Sequence, residues 1–350
     1  MKFQPLSLIV LTLFVLLVPF EIAAQAPGAK GNPAAKASAA KSTPWTPPRL
    51  PDGRPDLSGF WSNNTVTPFE RPAALAGKEF ITDEEAKAQE KQATERTHAS
   101  DRQAIERPNE IGDYNAAFKE DGRWAMANHR TSIITDPKDG RMPPLTPEAQ
   151  KRFDADQQYH KLHPHDGPED MTTIERCITW ITSGPPMLPS FYNNNYQLVQ
   201  THDYVMIVAE MIHDVRIIPI SGSPHDDIRQ WMGDSRARWE GDTLVVETVN
   251  FNGKRGWWGT PMTEGGGGKR PDKDMRIIER FTRTAPDILL YQFTVDAPSM
   301  YTRPWSGEVT MRAFAGPVYE YACHEGNYGM SLILSGARAD EKKAEEASRK

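Results

Sequence analysis

The sequence lacks the short motifs that identify the most common enzyme classes. It contains no G-x-S-x-G elbow, no P-loop, no G-x-G-x-x-G, no H-E-x-x-H and no C-x-x-C. These absences argue against serine hydrolases of the common type, nucleotide-dependent enzymes, zincin metalloproteases and thioredoxin-like oxidoreductases. We therefore expect no cofactor.

An excess of basic residues is also absent. The formal net charge is −6 and the isoelectric point is about 5.9, whereas a nucleic-acid-binding protein should present a basic face. We expect a small-molecule ligand rather than a nucleic acid as the partner. The sequence does not indicate an oligomeric state.

Long apolar runs are scarce, and the one clear run lies at the N-terminus. Lys2 precedes the apolar stretch Leu6 to Val18, and small residues follow in "EIAAQA". The run is shorter than the about 20 residues that span a bilayer, and the pattern is typical of a secretory signal. We predict a signal peptide over residues 1–24, no integral membrane segment after its cleavage, and a periplasmic or secreted protein.

Cysteine is limited to Cys177 and Cys323, both in the part predicted to be exported. Two thiols in an oxidising compartment usually pair. The predicted oxidising compartment and the presence of two cysteines predict a disulfide between them. A bridged cysteine could serve neither as a nucleophile nor as a metal ligand.

The first half of the chain predicts little regular structure. Residues 25–51 are rich in Ala, Pro, Lys and Gly, which is typical of a disordered linker. Residues 52–175 predict a helical and irregular region. One helix begins at Thr82, where Glu85 completes a capping box, and another begins at Thr146-Pro147. Residues 339–350 form a charged tail.

Residues 176–338 predict an antiparallel β-barrel. Segments rich in β-branched and aromatic residues recur at about the 8–12-residue spacing of meandering strands, and closure would remove exposed sheet edges. The fold class is therefore mainly β, with an up-and-down barrel. The predicted strands are 196–201, 204–210, 215–220, 228–241, 242–251, 275–283, 287–296, 307–314 and 318–324.

Two short stretches contain residues suited to acid–base catalysis. Glu210 and His213 lie at a turn between strands, and His324 and Glu325 lie in "ACHEGNYGM". Glutamate and histidine pairs commonly transfer protons in enzymes. A solvent-exposed turn at His213 and a capped barrel end at His324 are the structural alternatives.

The stretch "GDSRARWEGDTLVVET" is the most regular. Arg236, Arg238 and Glu240 alternate on one face of a strand, so that Trp239 faces the other side. Arginine can recognise a ligand carboxylate, but an arginine–carboxylate network at one barrel end is equally consistent, and an inward Glu279 could be paired or functional. The candidate ligand-binding residues are Asp234, Arg236, Arg216, Trp239, Glu279, Trp305 and Tyr328.

Three histidines cluster in "HKLHPHDG", at His160, His163 and His165. Imidazoles are metal ligands, but the spacing matches no helical i, i+4 pair and Pro164 interrupts it. A solvated helix end, where positive charge is favoured, explains the cluster as well. We expect no metal site, although the pattern alone does not decide the question for this cluster.

The ordered motifs "PDLSGFW", "ERC", "GPPMLP", "GDSRARWEGDTLVVET", "ERFTR" and "EYACHEGNY" resemble those of a family of secreted bacterial proteins. The resemblance covers about residues 51–338 and implies common descent for the whole mature chain, but it carries no activity. A weaker likeness links Gly59-Phe60-Trp61 to the G-x-W opening of lipocalin-type barrels, in which the Trp packs across the barrel floor. Here about 130 residues separate Trp61 from the main strand series.

Two functions fit these observations. The first is a binding protein that holds an apolar or aromatic small molecule in the barrel, oriented by Arg and Glu side chains. The alternative is a cofactor-free periplasmic enzyme, a lyase, isomerase or hydrolase, that uses His, Glu and Asp as acid–base groups.

Overall fold

The computed structural model describes residues 45–106, 124–190, 192–254 and 273–349. For residues 98–106 it describes the backbone alone. The predicted signal peptide 1–24 and most of the predicted linker 25–51 lie outside the described residues. The described chain is mainly β, which confirms the predicted fold class.

Ten strands and three α-helices make up the described structure. The helices are α1 (Asp83–Glu106), α2 (Pro147–Leu162) and α3 (Tyr328–Ser348). The strands are β1 (Gly59–Ser62), β2 (Ile134–Asp136), β3 (Asn195–Gln200), β4 (Tyr204–Ala209), β5 (Val215–Pro219), β6 (Asp234–Glu240), β7 (Thr243–Val249), β8 (Arg276–Ala285), β9 (Ile288–Asp296) and β10 (Trp305–Ala313).

Nine of these strands form a nearly closed antiparallel barrel. Their order around the sheet is β5-β4-β3-β1-β10-β9-β8-β7-β6, and β2 adds to β10 outside this path. A closed ring with an odd number of strands cannot alternate direction throughout, so one neighbouring pair must be parallel. That pair is β5 and β6, joined by the parallel bridge between Ile220 and Ala237.

Alternating side chains line the inside of the barrel. On β9 every second residue from Leu289 to Val295 is buried, as expected for a strand with one face inside. The hairpin between β6 and β7 closes with two residues, and Gly241 adopts a φ of +59° that such a tight turn requires. The fully buried large side chains include Trp61, Trp305, Tyr196, Tyr291, Tyr301, Phe251, Phe281 and Phe293.

The strand that contains the G-x-W motif belongs to the barrel. β1 pairs with β3 on one side and with β10 on the other, so the segment 63–194 is an insertion between two adjacent strands. The indole Nε1 of Trp61 donates to the Leu57 carbonyl at 3.0 Å, and the Arg283 guanidinium lies 5.4 Å above its ring. A nearly closed antiparallel barrel that includes this strand is compatible with the lipocalin likeness.

The insertion contains both helices expected from their capping signals. The Thr82 and Glu85 side chains bond to each other's backbone N–H groups at the start of α1. Thr146 accepts from the Ala149 N–H at the start of α2. Both predicted helix starts are confirmed.

The prediction of a strand at 318–324 is wrong, because this segment runs irregularly outside the barrel. The buried carboxylate of Glu210 accepts a hydrogen bond from the Tyr319 N–H at 2.9 Å, which occupies a donor that a sheet would need. The strand that completes the barrel is β1 instead. The described part of the charged tail continues α3, which begins where the Asn327 side chain accepts from the Met330 N–H.

Candidate ligand site in the barrel lumen

Five consecutive strands each direct one polar side chain into the barrel. These residues form a connected set that we call the lumen network. Apolar and aromatic residues surround it within the same core, so it is a polar island in an otherwise apolar interior. The lumen network consists of Arg216 on β5, Ser235 on β6, Thr248 on β7, Glu279 on β8 and Tyr291 on β9.

Arg216 and Glu279 form a bidentate ion pair at the centre of the network. The guanidinium Nη1 lies 3.0 Å from Oε1, and Nη2 lies 2.5 Å from Oε2. Glu279 is completely buried and Arg216 is 5% exposed. Because β5 and β8 are not neighbours in the sheet, the pair bridges the lumen rather than adjacent strands.

The rest of the network supports this pair and crosses the parallel β5–β6 junction. Arg216 Nη2 donates to the Ser235 hydroxyl at 3.2 Å, and Ser235 and Thr248 hydroxyls lie 2.8 Å apart. The Tyr291 hydroxyl donates to Glu279 Oε1 at 2.9 Å. Arg216 thus links β5 to β6 by side chains at the junction where the sheet has a parallel bridge.

The protonation states in the network follow from burial and charge. Burial alone would lower the pKa of the Arg216 guanidinium, but the negative charge of Glu279 and the hydrogen bonds to it outweigh this effect, so the pKa lies above its ordinary value. Burial, followed by the charge of Glu279, raises the pKa of the Tyr291 hydroxyl well above its ordinary value. Arg216 is therefore a cation and Tyr291 a neutral donor at neutral pH.

A buried stretch of the insertion packs against the network. We call this stretch, Thr182 to Leu188, the plug segment; all seven of its residues are buried. The Met187 N–H donates to the Tyr291 hydroxyl at 2.8 Å, and the Tyr196 hydroxyl donates to the Thr182 carbonyl at 2.8 Å. The motif "GPPMLP" thus begins inside this segment and contributes directly to the lumen.

Two nitrogens of the lumen lack a hydrogen-bond partner among the described residues. They are the Arg216 Nε and the Trp239 Nε1, and both atoms are buried. A buried polar group without a partner costs roughly 1–3 kcal/mol, so such atoms are usually satisfied by water or a ligand. The lumen therefore keeps hydrogen-bonding capacity that the described chain does not use.

The sequence candidates lie in three places. Arg216 and Glu279 meet in the lumen network, and Trp239 packs half-buried against the same core. Trp305 is inside the barrel next to Phe293 and Tyr301, with T-shaped ring contacts to both.

Asp234 and Arg236 point away from the lumen and hold the connection between β5 and β6. Asp234 is buried and accepts from the His225 Nδ1 at 3.0 Å and from the Asp226 N–H at 2.9 Å. Arg236 binds the other Asp234 oxygen and donates to the Pro224 carbonyl. His225 is half-buried, and its Nε2 has no hydrogen-bond partner in the part of the chain that the structure describes.

The remaining candidates lie at the disulfide corner, outside the barrel. The predicted bridge between Cys177 and Cys323 is confirmed. Glu210 accepts from the Asn195 amide at 2.7 Å in addition to Tyr319, and the His213 Nδ1 lies 3.0 Å from the Tyr321 carbonyl. These contacts hold the segment around Cys323 against the barrel. His324, Glu325 and Tyr328 are exposed at this corner.

The three clustered histidines do not converge. His163 Nδ1 lies 2.7 Å from Asp166 Oδ2, and His160 packs edge-on against Tyr159 near the end of α2. Within the described ranges, no group of three His, Cys, Asp or Glu side chains is arranged to hold a metal ion.

Sequence reasoning missed three of the five residues of the lumen network, Ser235, Thr248 and Tyr291, and also missed residues next to it. Tyr291 could have been found, because it alternates inward in "ILLYQFTV" beside the inward Glu279. Tyr196 and the plug segment gave no comparable signal, because their contacts join positions far apart in sequence. His225 was missed because it lies in an irregular connection.

Comparisons with protein-family models, with curated proteins and with solved structures found no match for this chain. The resemblance to a secreted bacterial family therefore stays a prediction. No helix among the described residues is both long and apolar enough to cross a membrane.

Proposed function

We propose that this chain is an exported protein that binds an apolar or aromatic small molecule in its barrel lumen. The observation that carries the proposal is the lumen network, in which the Arg216 Nε remains unpartnered inside a core of aromatic and aliphatic side chains. Ligand pockets are commonly apolar with a few polar groups that fix the ligand's orientation. Arg216 and Glu279 are held rigidly enough for that role because each is bonded twice to the other.

Export is supported by the disulfide and by the N-terminal sequence. Cys177 and Cys323 are bridged, which is the state expected in an oxidising compartment. The apolar run Leu6 to Val18 supplies the expected secretion signal.

Binding can be tested with a neutral aromatic probe, N-phenyl-1-naphthylamine, and with the indole of Trp239 as a reporter. We expect probe fluorescence to rise on binding and Trp239 emission to be quenched. The quenching should become smaller in Trp239→Phe, since Trp61 and Trp305 also lie in the barrel core, and should be unchanged in Trp124→Phe, a matched change at an exposed indole.

Native mass spectrometry of the protein purified from its own host supplies the second measurement, and a co-purifying small molecule is expected. The proposal fails if no member of a screen of aromatic and lipid-like compounds raises the melting temperature and no such molecule co-purifies. A ligand at 100 times its dissociation constant stabilises by roughly 2.7 kcal/mol, which thermal shift detects readily.

A second candidate function, cofactor-free acid–base catalysis, is favoured by one observation. The buried Asp234 carboxylate fixes the ring of the half-buried His225 through Nδ1, which leaves Nε2 to exchange a proton. Turnover of a bound compound that is lost in His225→Ala and kept in His324→Ala would favour this function and would place it outside the lumen.

A further inference from the structure

Several buried side-chain oxygens around the plug segment lack hydrogen-bond partners in the described structure. They are Thr182 Oγ1 and Ser183 Oγ on the plug segment, Thr179 Oγ1 just before it, and Asn63 Oδ1 just after β1. Each of these residues is at most 1% exposed. With the Oδ1 of the neighbouring Asn64, five unsatisfied oxygens lie on two short stretches of chain, which is more than the scattered exceptions of a well-packed core.

Asn63 and Thr182 are neighbours in space, because the Asn63 side chain and the Thr182 backbone carbonyl bond to the same hydroxyl. The Asn63 Nδ2 donates to the Tyr196 hydroxyl at 3.0 Å, and this hydroxyl donates to the Thr182 carbonyl at 2.8 Å. The Asn63 Nδ2 also donates to the Met187 carbonyl at 3.2 Å. The Met187 carbonyl can only accept, and the Tyr196 hydroxyl already gives its hydrogen to Thr182. Both partners therefore need a donor, which fixes the orientation of the Asn63 amide and leaves Oδ1 as an acceptor.

Asn63 is also joined to the lumen network. Met187 accepts from Asn63 through its carbonyl and donates to Tyr291 through its N–H, and Tyr291 donates to Glu279. Asn63, which carries one of the unpartnered oxygens, therefore stands at one end of a hydrogen-bonded chain whose other end is the Arg216–Glu279 pair.

We propose that Asn63, Thr182 and Ser183 form a polar subsite that receives the hydroxyl group of an uncharged ligand. This inference rests on the proposed function and specifies its ligand class. The Thr182 and Ser183 hydroxyls can each donate or accept a hydrogen bond, and Asn63 Oδ1 can accept one. Together they can bind a ligand group that both donates and accepts hydrogen bonds. An alcohol or a phenol has that property, whereas a plain hydrocarbon does not.

The charge balance excludes a carboxylate as the preferred ligand. Arg216 is already neutralised by the completely buried Glu279, so a ligand anion would have to displace that carboxylate or remain unpaired in the buried interior. The subsite itself offers only neutral groups. The ligand expected is therefore an aromatic or aliphatic body that carries one hydroxyl.

The experiment compares 2-naphthol with naphthalene, which differ in one hydroxyl group, on the full mature chain. We expect Thr182→Val to weaken 2-naphthol binding at least about tenfold and to change naphthalene binding less than about twofold, because the substitution keeps the side-chain volume and removes one hydrogen bond. Thr282→Val is the matched control, since Thr282 faces outward on β8 and bonds to Thr243. It should leave both affinities unchanged.

Ser183→Ala is the second variant and should give the same selective loss if Thr182→Val fails to fold. Equal effects on both compounds, or no effect on either, overturn the subsite while leaving binding in the lumen intact. A water molecule that bridges Asn63, Thr182 and Ser183 and stays in place with 2-naphthol bound overturns it as well. If neither compound nor any other in the screen binds, the proposed function fails, and the subsite fails with it.

Discussion

The inner and outer faces of the barrel wall both carry arginine–glutamate contacts, in opposite surroundings. Inside the barrel, Arg216 and Glu279 are almost completely buried. Outside, Arg238 and Arg280 both donate to the Glu240 carboxylate, at 2.7 Å and 2.9 Å, and all three side chains are exposed by more than a third. Both sets contain short arginine–carboxylate contacts, but one arginine binds the carboxylate inside, whereas two arginines share a solvent-exposed carboxylate outside.

This difference decides what each pair can do. Exposed ion pairs contribute little because water and salt screen them. A buried pair must offset the loss of hydration of both charges, so removing one partner leaves an uncompensated charge in the core. The sheet would therefore form without the outer arginines. In the lumen, by contrast, the charge of Arg216 can be buried only with Glu279 beside it, and the reverse is also true.

The largest effect is expected from Glu279→Ala. The change should lower the free energy of unfolding by about 3–5 kcal/mol, because it strands the Arg216 guanidinium in the lumen. Urea denaturation followed by tryptophan fluorescence measures it. The double variant Arg216→Met/Glu279→Leu removes both charges and should recover most of the loss; a double variant as unstable as the single one would show that the pair itself stabilises the fold.

A smaller effect is expected from Tyr291→Phe, which deprives Glu279 and the Met187 N–H of one partner each. The loss should be about 1–3 kcal/mol at neutral pH. Because the folded-state pKa of Tyr291 is raised, its contribution is present below its unfolded pKa of about 10 and is lost as the pH rises above that value.

The measurement for this second prediction is the difference in unfolding free energy between the wild type and Tyr291→Phe as a function of pH. The difference should be constant from pH 7 to about pH 10 and should shrink above it. A difference that grows at alkaline pH would contradict the raised pKa.

The smallest effect is expected from Glu240→Ala on the outer face. Its pKa is lowered by hydrogen bonds from Arg280 and then from Arg238, but the carboxylate is open to water. The denaturation midpoint should change little, and added salt should abolish the remaining change. A loss as large as that of Glu279→Ala would remove the contrast between the two faces.

Much of the fold could be predicted from the sequence because its signals are local. The caps at Thr82 and Thr146 specify helix starts within a few residues, and the alternation in β6 to β9 specifies which side chains face inward. The turn at Gly241 can likewise be predicted from the residues on either side of it.

The site was less predictable because its contacts are not local. Glu279 could be assigned to the lumen by alternation, but its partner Arg216 lies across the barrel on β5, and no local pattern pairs them. The role of β1 was hidden for the same reason, since its neighbours β3 and β10 are distant in sequence. The prediction of a strand at 318–324 failed because Glu210, remote in the chain, binds the Tyr319 N–H.

The position of the insertion has a consequence for how this protein can vary. Ser62 and Asn195 are register partners on β1 and β3, so the whole segment 63–194 is, in topological terms, the turn of a β-hairpin. Lengthening a turn costs little conformational entropy, only about 0.6 kcal/mol per doubling of its length. The plug segment lies within this turn, so under the proposed function an exchange of this one turn would change which ligand binds while the strands of the barrel wall stay unchanged.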